Sequence, residues 1–165
     1  MKRTPPGNTP LFVRLAASFF FIGEAAPFAP ATFASLAVTP AFLFFVAWPA
    51  WIQIALTLAV IWVAILVSTR AEFFYGHDAK AIVIDEVAGM MVTFLLVPPM
   101  AGPREQWFVL ILGFFLFRVF DVLKPFPANR AQNLPRGTGV VLDDVVAGIY
   151  ANAGVRIVIA FSLVP

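Results

Sequence analysis

The chain has 165 residues, of which 61% are hydrophobic, 15% aromatic and only 12% charged, with a net charge of +2. Soluble domains carry about 25% charged residues, so a disordered chain, an ordinary soluble surface and a broad basic face for nucleic acid are all excluded. With no Cys and one His, disulfides, thiolate nucleophiles and His-rich zinc sites are excluded too, and the composition reads as one integral membrane domain, residues 1–165.

Residues 1–10 hold Pro5, Pro6, Gly7 and Pro10 and read as a flexible tail, without the apolar core of a cleavable leader. Leu11–Ile22 is short for a crossing and carries Arg14, which predicts an interfacial helix. Residues 25–69 contain no charged side chain, enough for two crossings at about 20 residues each. Pro49 parts them into Phe33–Trp48, short and kinked or re-entrant at Pro40, and Ala50–Ser68. Ile82–Val97 forms the next apolar run, across Asp85 and Glu86. It is followed by a turn at Pro98-Pro99 and Gly102-Pro103, then by Gln106–Leu123 and Leu142–Leu163. The expected fold is an all-α polytopic transmembrane bundle of four or five spans. Alternating their directions puts Arg70, Lys80, Lys124, Arg130 and Arg136 on one side and Arg104 alone on the other. Basic residues in short loops mark the cytoplasmic side.

The same threading gathers Glu24, Asp78, Asp85, Glu86, Asp121, Asp143 and Asp144 on that side. An acid inside an apolar run is costly and faces a partner or a cavity. Val83-Ile84-Asp85-Glu86-Val87-Ala88-Gly89 is echoed by Val141-Leu142-Asp143-Asp144-Val145-Val146-Ala147-Gly148. Each block puts paired carboxylates at a helix start and a glycine one turn later, where another helix approaches closely. Offsetting the helix dipole is the plainer explanation, but one acid would suffice for it. Arg118, Asp121 and Lys124 recur every three residues on one side of a helix end. They form either a local ion-pair ladder or a site in which Asp121 joins a metal while Arg118 and Lys124 hold phosphate. Thr32 reads as an N-cap with Ser35 one turn in, a helix start suited to an anion. His77 is either a general acid or a solvated loop side chain. Glu24 has no assigned role, and Arg130 stands with Arg118 and Lys124 as a candidate phosphate ligand.

Carboxylates without Cys and with little His select a hard cation, Mg²⁺ first. Cations beside it select a phosphate, and the membrane boundary selects a phospholipid to carry that phosphate. Two rivals are a cation carrier or channel and a Mg²⁺-dependent phosphatidyl-transferring enzyme. The first needs polar residues across the bilayer, whereas Met91–Val97 and Val109–Phe115 are almost wholly apolar; the D-G-x-x-A-R signature of the second is absent.

Four blocks, Gly23–Leu36, Ile82–Gly89, Arg118–Pro127 and Gly137–Gly148, resemble the phosphatidylglycerophosphatase A family in content and order. The resemblance implies a bacterial inner-membrane enzyme that removes the terminal phosphate of phosphatidylglycerophosphate with Mg²⁺, its active site facing the cytoplasm. Together with the reading of the residues themselves, this puts Asp85, Glu86, Asp121, Asp143 and Asp144 at the metal, Thr32, Ser35, Arg118, Lys124 and Arg130 at the substrate phosphate, and His77 among the catalytic groups. The first block departs from the family pattern P-G-T-x-G-S, since Ala31 and Ala34 replace both glycines.

Overall fold

A computed structural model describes residues 9–76, 79–161 and 164; His77 and Asp78 lie outside the described residues. The described residues are helical throughout their regular structure. Helix α1 covers Leu11–Ala17, stopping well before Ile22. Ser18 explains the stop: its hydroxyl donates to the Arg14 carbonyl at 2.5 Å and accepts from the Phe21 N–H at 3.0 Å. Phe19, Phe20 and Phe21 then take positive φ, and the one-turn α2 covers Ile22–Ala25. The single helix expected over Leu11–Ile22 is therefore two pieces joined by a left-handed turn.

Helix α3 (Pro30–Val38), a 3₁₀ turn (Thr39–Ala41) and α4 (Phe42–Phe45) occupy the stretch expected as the short Phe33–Trp48 segment, interrupted at Pro40. The regular helix gives way at Pro40, which has no N–H to donate. Pro30 stands at the first turn of α3, where its missing N–H costs nothing, and Ala29 before it is left-handed at φ 44°. Thr32 is thus a residue inside α3, not its N-cap. Ala31 and Ala34 lie within the same helix, where no positive φ asks for glycine.

Among the described residues, two helices are long and apolar enough to cross a membrane, α5 (Ala50–Tyr75) and α7 (Pro103–Leu123). Most of α5 shows an apolar surface, with Leu58, Trp62 and Leu66 exposed, as a lipid-facing helix would. Helix α9 (Gly137–Ala160) has 24 residues but carries Asp143, Asp144, Asn152 and Arg156 along its length. It begins five positions before the expected Leu142. Gly137 sits so close to α5 that a Cβ there would lie 2.7 Å from the Ile65 carbonyl oxygen, so this glycine serves packing and not a turn.

Helix α6 (Ile84–Phe94) is the axis of the bundle: every residue from Asp85 to Phe94 is buried, against α3, α5, α7 and α9. Its eleven residues rise only about 16 Å, short of a core about 30 Å thick. A helix ending inside apolar surroundings must have its last carbonyls satisfied. The Asn152 amide donates to the carbonyls of Val92, Thr93 and Leu95 at 3.2, 2.9 and 2.9 Å. The Arg156 guanidinium donates to Leu95 and Leu96 at 3.1 and 2.5 Å, and the Gln53 side-chain carbonyl accepts the Leu96 N–H at 2.9 Å. Polar side chains of α5 and α9 therefore finish α6 where the chain leaves it. Gly89 and Gly148 let α6 and α9 touch, since a Cβ on Gly148 would run into the Gly89 carbonyl.

A candidate active site of clustered carboxylates

The start of α6, the end of α7 and the first third of α9 meet over a cavity of about 610 Å³. Its lining includes Asp85 and Glu86 from α6, Asp121 and Lys124 from the end of α7, and Asp143 and Asp144 from α9. The three carboxylate blocks, far apart in sequence, thus share one wall. Asp143 and Asp144 lie beyond the first turn of α9, which has no acid there, so dipole compensation does not account for them. Asp85 and Glu86 do sit in the first turn of α6.

Each carboxylate has a different set of partners. Glu86 is almost fully enclosed: Arg118 donates to its Oε2 at 2.6 Å, and the Ser35 hydroxyl donates to the same oxygen at 2.7 Å. Arg118 also reaches Asp121 Oδ2 at 3.0 Å, one turn along α7. Asp143 Oδ2 accepts from Lys124, and its Oδ1 accepts the Asp144 N–H at 3.1 Å. Lys124 stands just past α7 with a left-handed backbone, which ends the helix and turns the chain toward α9, and Pro125 follows. Burial works against its ammonium, but the hydrogen bond and charge of Asp143 outweigh it and hold the pKa above the ordinary lysine value. Asp85 Oδ1 and Asp144 Oδ2 remain: both are buried and neither has a hydrogen-bond partner.

Two carboxylate oxygens in one polar cavity are free to accept a ligand, and a ligand that carries positive charge would offset the cost of burying them. Among the described residues, no group of three or more carboxylate or imidazole side chains is disposed to hold a metal ion. A closed protein cage is therefore not what these residues form. The unengaged oxygens of Asp85 and Asp144 are instead hard oxygen donors, the kind of ligand a divalent cation such as Mg²⁺ takes one or two of from a protein.

The predicted phosphate ligands separate. Lys124 lines the cavity. Arg118 does not; it is committed to Glu86 and Asp121. Arg130 is exposed and lies over the Phe126 ring at 5.0 Å, away from the lining, because the short helix α8 (Ala128–Ala131) turns it outward. Thr32 is half-buried in α3 and absent from the lining, and Ser35 is fully buried on Glu86. What α3 brings to the cavity is its first turn, Ala29 to Ala31. Lys80 also lines it; its place five residues before Asp85 was the available signal, read in the sequence only as a marker of sidedness.

Glu24 acquires a role outside the cavity. Arg14 grips it with two nitrogens, at 3.1 and 2.6 Å, and the Tyr75 hydroxyl donates to it at 2.5 Å. The Arg14 hydrogen bond leads in holding its pKa below the ordinary glutamate value. This ties α1 and α2 to the end of α5. The Ala17 carbonyl in turn accepts the Val83 N–H at 2.8 Å, which steadies the segment entering α6.

The family profile described as phosphatidylglycerophosphatase A matches residues 15–159. A protein of Bacteroides thetaiotaomicron, provisionally named a phosphatidylinositol-3-phosphatase, is 35% identical over 130 residues, covering 76% of this chain and 80% of its own. The phosphatidylglycerophosphatase A of Escherichia coli is 33% identical over 132 residues, covering 78% and 73%. That of Haemophilus influenzae is 41% identical over 76 residues, covering 46% and 44%. No solved structure matches the chain.

Proposed function

The chain belongs to the phosphatidylglycerophosphatase A family, and from that premise we propose that it hydrolyses the terminal phosphate of phosphatidylglycerophosphate, giving phosphatidylglycerol, with Mg²⁺ at the cytoplasmic face of the bacterial inner membrane. The observation that carries the reading is the cavity in which Asp85, Glu86, Asp121, Asp143 and Asp144 meet Lys124, with two carboxylate oxygens left unengaged. Mg²⁺ bound there would neutralise the phosphate and activate water. Asp85 and Asp144 carry the unengaged oxygens and are the residues assigned to that ion. Arg118 and Ser35 hold Glu86, and Arg118 also holds Asp121, so these acids keep their places while the site is empty of substrate. Lys124 donates to the phosphate that enters beside Asp143. In the reaction the bond from phosphorus to the glycerol oxygen breaks and one from phosphorus to water oxygen forms. A cavity carboxylate takes the water's proton and passes it to the leaving glycerol oxygen, which departs as the hydroxyl of phosphatidylglycerol.

In the membrane, α5, α7 and α9 serve as full crossings, and α6 and the pair α3–α4 as the shorter fourth and fifth. Arg70, Lys80, Lys124, Arg130 and Arg136 then fall on one side and Arg104 on the other, as the positive-inside rule requires. Since the chain has no Cys, Arg130→Cys should be labelled only from the cytoplasmic side and Arg104→Cys only from outside; the reverse pattern refutes the orientation.

Activity is tested by phosphate release from phosphatidylglycerophosphate in mixed micelles, with Mg²⁺ and with excess chelator. Release that stops on chelation and returns with Mg²⁺ is expected. Turnover surviving full chelation refutes the metal dependence. Because of the name given to the Bacteroides relative, phosphatidylinositol 3-phosphate is the second substrate. A kcat/KM higher for it than for phosphatidylglycerophosphate refutes the substrate assignment.

A further inference from the structure

The cavity holds two lysines at different depths. Lys124 is half-buried and bonded to Asp143. Lys80 is exposed, on the segment that leads into α6. Arg118, the nearest other cation, is outside the lining and tied to two carboxylates. Among the described residues, Lys80 is therefore the one cation of the lining with no carboxylate partner.

The unengaged oxygens belong to the buried part of the lining: Asp85 is 9% exposed and Asp144 3%. A phospholipid whose terminal phosphate reaches those acids has its acyl chains outside, in the bilayer. In a headgroup with two phosphates joined by glycerol, the phosphodiester then lies nearer the mouth. A volume of about 610 Å³ is within the usual range for sites that enclose a small ligand, about 300–1,000 Å³.

We propose that Lys80 is a specificity residue that binds the phosphodiester of a two-phosphate lipid. The site thereby favours lipids that carry both a diester and a terminal monoester over phosphatidate, which carries the monoester alone. This rests on the reading that the buried carboxylates receive the terminal phosphate. A flexible ammonium suits such a contact, since it acts as a point charge and asks little of the ligand's orientation. One lysine at a membrane surface changes anionic-lipid binding by about fivefold.

The test compares wild type, Lys80→Gln and Lys80→Arg in micelles of a neutral detergent. It measures KM and kcat for phosphatidylglycerophosphate and inhibition constants for phosphatidylglycerol, which has only the diester, and phosphatidate. Lys80→Gln should raise KM and the phosphatidylglycerol constant by about fivefold, with kcat and the phosphatidate constant unchanged. Lys80→Arg should restore wild-type values. An unchanged phosphatidylglycerol constant in Lys80→Gln overturns the assignment, as does an equal rise for phosphatidate or a loss confined to kcat. Those results leave the phosphatase reading intact, whereas wild-type protein that releases no phosphate overturns both.

Discussion

Arg118→Gln removes the cation that Glu86 and Asp121 share. The arginine side chain is 18% exposed and that of Glu86 6%, so the pair is largely out of water. Taking one partner from a buried ion pair costs about 3–5 kcal/mol, most of it from the charge left behind. The residual exposure of Arg118 and Asp121 puts this case at the lower end, about 3 kcal/mol. For a chain of this size each kcal/mol moves Tm by about 2–4 °C, so a fall of about 6–12 °C is expected. Adding Glu86→Gln removes the orphaned charge, and the double variant should recover at least half of that loss. Tm is read from tryptophan fluorescence in detergent at one fixed scan rate, since unfolding of such proteins is often irreversible. Initial rates over a range of lipid concentrations accompany it. Arg118→Gln should lower kcat, because two cavity carboxylates lose their anchor, and leave KM nearly unchanged. A variant with wild-type Tm and a raised KM would refute this reasoning and make Arg118 the phosphate ligand that its spacing first suggested.

Asp85→Asn and Asp144→Asn should each cut turnover by about 10²-fold or more while leaving Tm in Mg²⁺-free buffer unchanged or higher, because each removes a buried, unpartnered charge. A large drop in Tm with activity retained would make them structural. Gly148→Ala forces a methyl group against the Gly89 carbonyl and within 3.0 Å of Val92 Cβ. Backbone cannot swing aside, so the variant should lose about 1–3 kcal/mol, and turnover should fall as Asp144 and Asp85 are pushed apart; wild-type Tm and turnover together would refute the close approach. For Glu24 the folded pKa is lowered, so its stabilisation is present above the unfolded value of about 4.3 and lost as pH falls through the folded one. The Tm advantage of wild type over Glu24→Gln should therefore be full at neutral pH and shrink in acid; an advantage independent of pH would contradict the ion-pair account.

Much of the architecture was legible along the chain. Pro40 and Pro49 mark the breaks before α5, and Pro98, Pro99 and Pro103 those between α6 and α7, because a missing N–H is a local fact. The mismatches lie where local signals have two meanings. Gly137 and Gly139, in a run with Arg136 and Thr138, have the local composition of a turn, yet they open α9. Gly137 lies against α5, and Gly139 against the Gln132 and Leu134 carbonyls. Ser18 sits inside an apolar run and still ends α1, through two hydrogen bonds that periodicity does not register.

At the site, the apolar background by itself determined that the acids matter. Asp85, Glu86, Asp121, Asp143 and Asp144 are costly wherever the helices place them, so each needed a partner or a cavity before any packing was known. Which cation serves which acid was decided only by tertiary structure. Arg118 and Lys124 stand six residues apart near the end of α7, with the same charge and the same spacing from Asp121. One faces α6 and is taken up by Glu86, and the other turns past the helix end onto Asp143. Arg130 falls outside the lining, and Lys80 enters it from a segment with no periodic pattern. A charge's identity is a property of its residue, but its partner is set by which helices pack against each other, and that depends on Gly89, Gly148 and Gly137 allowing backbones to touch.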